Sequence, residues 1–119
     1  MLKLNFFKKK TEPQVDKKSE YLSDFLDNEI SRSAMTNEIL HFINSPEIRR
    51  GEFECNEYII QKVDANCFLL YSHLVNPDGE ALFGGAFSMY RSELQAAILS
   101  QAKTRGFESE LNGSYIRND

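Results

Sequence analysis

The chain is poor in the residues that staple or ligate. Two cysteines, two histidines and three prolines are all it carries among 119 residues. Two cysteines are too few for the disulfide framework of a small secreted domain. Cys55 and Cys67 both fall in apolar, strand-like runs, where a free thiol behaves as a small hydrophobe. Neither has a named base beside it, so neither reads as a nucleophile. Two histidines and scattered carboxylates make no recognisable metal site. Glu38 and His41 have a spacing that places both on one helix face, but di-iron bundles need a second such motif and further carboxylates. No metal or other cofactor is implied.

Other absences narrow the function. Gly84-Gly85 is followed by neither a G-x-G-x-x-G pattern nor a P-loop lysine. No apolar run approaches the roughly 18 residues of a membrane-spanning helix. The stretch Met1 to Phe7 is too short for a secretory h-region, and its basic flank, Lys8-Lys9-Lys10, lies on the wrong side. A cytoplasmic location is the expectation.

What the chain does have is core material and charge. Apolar residues make up 41%, with nine Phe and five Tyr, enough for one folded domain without a staple. Six lysines against Glu12 and Asp16 put +4 on residues 1–18, leaving −8 on residues 19–119. Residues 1–17 read as a flexible basic arm and residues 18–119 as a single α+β domain. An acidic body repels nucleic-acid phosphates and favours basic partners. Arg49-Arg50 is the only basic pair in that body.

Periodicity supplies the fold. Tyr21, Leu22, Phe25, Leu26 and Ile30 mark one helix over 18–30, and Ala34, Met35, Ile39, Leu40, Phe42 and Ile43 a second over 33–44. Ser45-Pro46 ends it. From residue 52 to 63 the period is two, with Phe53, Cys55, Ile59 and Val63 alternating with polar residues, which predicts one strand. A turn at Asp64-Ala65-Asn66 leads into a doubly apolar strand, Cys67 to Val75. Asn76-Pro77-Asp78-Gly79 reads as a turn into a third strand, Glu80 to Phe87, with Gly84 opposite Tyr71 and Gly85 opposite Leu70. Ser92-Glu93-Leu94-Gln95 fits a capping box, and Gly106-Phe107 fits a helix stop. The expected architecture is two N-terminal helices, a three-stranded antiparallel meander, and a C-terminal helix packed on one sheet face. Leu111, Tyr115 and Ile116 could dock as a short strand.

The register of the first hairpin places Val63 opposite Cys67, Gln61 opposite Leu69, Ile59 opposite Tyr71 and Glu57 opposite His73. Glu57, Tyr71 and His73 are therefore the ligand or acid/base candidates, against the plainer reading of an ion pair tolerated in a sheet. The leading functional expectation is a non-enzymatic protein-binding module (an inhibitor, immunity-type, chaperone or adaptor protein). Asp24, Asp27, Glu29, Glu52, Glu54 and Glu57 are its candidate contacts with a basic protein partner. Two alternatives stay open. One is a ligand binder or enzyme centred on Glu57, Tyr71 and His73. The other is a membrane-surface accessory held by residues 1–10, where Leu2, Leu4, Phe6 and Phe7 mix with lysines. A homodimer through strand 51–63 or 80–87 is a further possibility, since an open sheet leaves edges.

Overall fold

The computed structural model describes residues 17–73 and 86–118. Helix α1 spans Lys17–Glu29 and helix α2 Ser33–Asn44. Strands β1 (Gly51–Glu54), β2 (Tyr58–Asp64), β3 (Cys67–Ser72) and β4 (Phe87–Tyr90) follow, and then helix α3, Arg91–Arg105. Two 3-10 turns, Glu108–Glu110 and Gly113–Tyr115, come after it. The protein is α+β, its strands antiparallel and ordered β1-β2-β3-β4.

Among the described residues the sheet has four strands where the alternation predicted three. The run 52–63 is a hairpin, because the chain turns at Cys55-Asn56-Glu57 and the Cys55 amide donates to the Tyr58 carbonyl at 2.8 Å. Glu29 drives that turn from outside. Its carboxylate accepts from the amides of Asn56 (3.1 Å), Glu57 (2.7 Å) and Tyr58 (3.0 Å). The turn also redistributes the apolar residues. Phe53 pairs with Ile60, so the inward positions of β2 are Tyr58, Ile60 and Lys62. Ile59 and Val63, grouped with Phe53 by a two-residue period, lie on the other face.

In the second hairpin, Gln61 pairs with Leu69 and Ile59 with Tyr71, as the turn arithmetic required. At the turn itself Cys67 pairs with Asp64 and not with Val63; a bulge between Lys62 and Asp64 absorbs the extra residue. Asp64 Oδ1 accepts from the amides of Asn66 and Cys67, a side-chain turn typical of Asp. The last strand sits later than expected. Leu70 pairs with Phe87, not with Gly85. The turn 76–79, the strand residues 80–85 with Gly84-Gly85, and the arm 1–16 lie outside the described residues.

Helix α3 begins at Arg91, and its N-cap is Tyr90, two residues ahead of the expected Ser92, with Glu93 Oε1 accepting from the Tyr90 amide at 3.3 Å. It ends as the sequence requires. Gly106 is left-handed (φ 83°), and the Gly106 and Phe107 amides return to Lys103 and Ala102. Leu111, Tyr115 and Ile116 do dock against the core, but through the 3-10 turns and not as a strand.

One side of the sheet is roofed. Tyr21, Phe25 and Ile30 of the α1 region, Ile39, Leu40 and Ile43 of α2, and Leu94, Ile98 and Ala102 of α3 share one core with Tyr58, Ile60, Phe68, Leu70 and Met89. Phe25 meets Tyr58 edge-on at 5.8 Å, and Phe42 meets Phe53 and Phe68 at 5.6 and 6.4 Å. Burying each such side chain contributes about 1.5–3 kcal/mol.

Candidate functional site

Strand alternation gives the sheet a second face, and among the described residues no helix packs on it. Its side chains are Glu52 and Glu54 from β1, Ile59 and Gln61 from β2, Cys67, Leu69 and Tyr71 from β3, and Ser88 and Tyr90 from β4. Tyr90 is 67% exposed and Val63 37%. Ile59, Leu69 and Tyr71 are half-buried. Apolar side chains thus run across the middle of this face, with carboxylates along the β1 edge. The Tyr71 hydroxyl donates to Glu52 Oε2 at 3.1 Å. Burial first, then this bond and the Glu52 charge, push the Tyr71 phenol up.

The three ligand candidates do not converge. Glu57 and His73 are neighbours through the backbone, the His73 amide donating to the Glu57 carbonyl at 3.1 Å. The His73 ring, however, pairs with the Asn56 carbonyl at 2.9 Å, while Tyr71 turns to Glu52. None of the three lines the cavities described below.

The acidic candidates separate into different places. Glu29 is buried, 1% exposed, and committed to three backbone amides. It is therefore no part of an accessible acidic surface. Asp24 and Asp27 line a hollow of about 360 Å³ on α1 with Ser19, Glu20 and Ser23. Asp24 Oδ2 there accepts from the buried Tyr58 hydroxyl at 2.6 Å. Burial and then that bond push the Tyr58 phenol up. Glu57 is half-buried in the hairpin turn. Only Glu52 and Glu54 of the six stand on the open sheet face.

At the far end of β2 lies a feature that hydrophobic patterning concealed. Lys62 is 3% exposed and on the inward face. Its Nζ donates to the Phe42 carbonyl at 3.2 Å and the Ser45 carbonyl at 2.9 Å, at the C-terminal end of α2. Those carbonyls have no partner within the helix, and a cation there suits the helix dipole. The Phe42 and Phe68 rings each lie 5.9 Å away. Burial, and then the charges of Arg117 and Arg91, hold the Lys62 ammonium below its ordinary range. Lys62 opens on a cavity of about 590 Å³ lined also by Ser45, Pro46, Ile48, Arg49, Arg50, Val63, Asp64 and Ala65. The only sequence signal for it was a lysine at an inward position, and that is visible only once the hairpin has set the faces.

Near this cavity, side-chain amides pin the chain that follows α3. Asn44 Nδ2 donates to Gln95 Oε1 at 2.8 Å and to the Tyr115 carbonyl at 2.6 Å. Arg91 donates to Asn44 Oδ1 at 3.0 Å. Gln95 Nε2 donates to the Arg117 carbonyl at 2.7 Å. Beside this knot the His41 and Tyr115 rings meet at 4.8 Å, tilted by 54°, between hollows of about 230 and 570 Å³.

Among the described residues no three of His, Cys, Asp and Glu gather to hold a metal ion, and no helix is long and apolar enough to cross a membrane. Comparison of the chain with protein-family models, with curated proteins and with solved structures finds no match.

Proposed function

We propose that the protein is a non-enzymatic protein-binding module whose open sheet face receives a basic partner. The observation that carries this is the asymmetry of the sheet: one face is roofed by three helices, and the other presents Ile59, Leu69, Tyr71 and Tyr90 beside Glu52 and Glu54. An apolar centre with a charged margin is the usual anatomy of a protein interface. Aromatic side chains supply area at low entropic cost, and Tyr is enriched at energetically dominant positions. The two carboxylates would steer a basic partner in and set its orientation, more than they would add to affinity.

Affinity capture from the native cell, followed by quantitative mass spectrometry, tests the reading. The expected result is a stoichiometric, basic protein retained by the wild type. It should be lost when Ile59→Ser and Leu69→Ser are combined. Glu52→Lys with Glu54→Lys should slow its association and weaken the salt dependence of the rate. Recovery of no stoichiometric partner, or equal retention by all three proteins, overturns it.

A further inference from the structure

The cavity under Lys62 has a charge that the rest of the chain does not predict. The chain carries −4 overall, yet Arg49, Arg50 and Lys62 line this one hollow against the single carboxylate of Asp64. Asp64 is itself occupied, its Oδ1 accepting two backbone amides at 2.8 and 3.0 Å. Arg49 and Arg50 form no hydrogen bond or ion pair among the described residues. Lys62 has three N–H donors and spends two on carbonyls, so the third has no acceptor among the described residues. Arg91 and Arg117 stand close enough to oppose its charge further. Arg49, Arg50 and Lys62 pair with no carboxylate among the described residues, and an anion in the hollow supplies that charge.

The shape of the hollow narrows the anion. At about 590 Å³ it is far larger than one phosphate needs and lies within the roughly 300–1,000 Å³ of small-molecule sites. Its other wall is apolar: Pro46, Ile48, Val63 and Ala65. Two arginines and a lysine lining one hollow suit a tetrahedral, doubly charged oxyanion better than a single carboxylate. We propose that this cavity is a binding site for a small phosphomonoester borne on an apolar group. The phosphoryl oxygens take the Arg49 and Arg50 forks and the free Lys62 donor, and the substituent lies on Pro46, Ile48 and Val63. This site is distinct from the Ile59 and Leu69 patch, because Lys62 points to the opposite side of the sheet; Val63, next to the bulge at the strand end, borders both.

An amide-detected NMR titration of the full chain with phenyl phosphate tests the proposal, with glycerol phosphate and inorganic phosphate alongside. The expected result is saturable binding, with shifts concentrated in residues 45–50 and 62–65. Phenyl phosphate should bind roughly tenfold or more tightly than the two polar anions, because only it uses the apolar wall. Arg49→Ala with Arg50→Ala changes two exposed side chains, so its fold should persist by circular dichroism while phenyl phosphate binding falls about tenfold or more. Lys62→Met is the second variant and should weaken binding in the same direction. Absence of saturation at millimolar phenyl phosphate overturns the proposal. So does unchanged binding in the double arginine variant, or equal affinity for all three anions.

Discussion

Strand β2 has a buried charge at each end, and the two are satisfied in different ways. At its start, Glu29 is 1% exposed and gives both oxygens to three backbone amides of the hairpin turn. At its finish, Lys62 is 3% exposed and gives two of three donors to the carbonyls that end α2. The carboxylate is saturated by the amides of the turn, so its role ends with the turn it builds. The ammonium keeps a donor in hand, faces a cavity and stands among other cations. A buried charge that is fully enclosed by peptide groups is architecture; one left short of a counter-charge is poised for a ligand.

The sharpest way to break this contrast is Glu29→Ala. It strands the buried Tyr58 amide and the part-buried amides of Asn56 and Glu57 and should lower stability by about 3 kcal/mol, read from urea denaturation. Glu29→Gln keeps one acceptor and should cost about half as much. A loss below about 1 kcal/mol for the alanine variant would put the turn under other control.

Next in size is an alkaline effect at the same end. Burial, then the Glu29 charge, push the Cys55 thiol up to about 12 from 9.0. A raised folded value means the stabilisation is complete below pH 9 and is lost as pH climbs toward 12. At about pH 10.5 the difference is on the order of 2 kcal/mol. Cys55→Ala should flatten this part of the stability-versus-pH curve. A thiol that titrates near 9 in the folded protein, by ultraviolet absorbance, would mean that water reaches the Glu29 end.

Lys62→Met should be far milder, within about 1 kcal/mol of wild type, because an uncompensated charge leaves with the donor and the stem volume is kept. The sign with pH is opposite to that of an ordinary surface lysine. Its lowered folded value penalises the charged form, so the wild type should gain stability on the variant as pH rises through that value. The smallest effect belongs to the open face: Ile59→Ser should cost only about 0.5 kcal/mol. A cost of about 2 kcal/mol there, comparable with a core substitution, would mean that Ile59 is covered.

Much of the frame was legible in the residues. The helical spacing from Tyr21 to Ile30 and from Met35 to Ile43 marks α1 and α2 within a residue or two of their ends, because amphipathic helices repeat the same interval over several turns. Gly106-Phe107 marks the end of α3, since only a left-handed residue lets both amides turn back. The turn at 64–66 fixes the β2–β3 register beyond the bulge. The hairpin at Cys55-Asn56-Glu57 was not legible, because its decisive partner, Glu29, lies outside any local window. That one miss reversed the faces of Ile59 and Val63 and hid Lys62. The candidate site suffered most, since it rests on which side of a strand a lysine falls. Charge counting alone treated Glu29 as surface, and only its three amide partners show it to be interior.

The tie between Asn44 and Tyr115 spans 71 residues. At roughly 5–20 residues per second of synthesis, Asn44 is made some 4 to 14 s before Tyr115. The flank of α2 must stay hydrated for that interval, and the core can close only after the chain beyond α3 has emerged. Completion of this corner of the fold is therefore timed by the chain around Tyr115 and not by the helices.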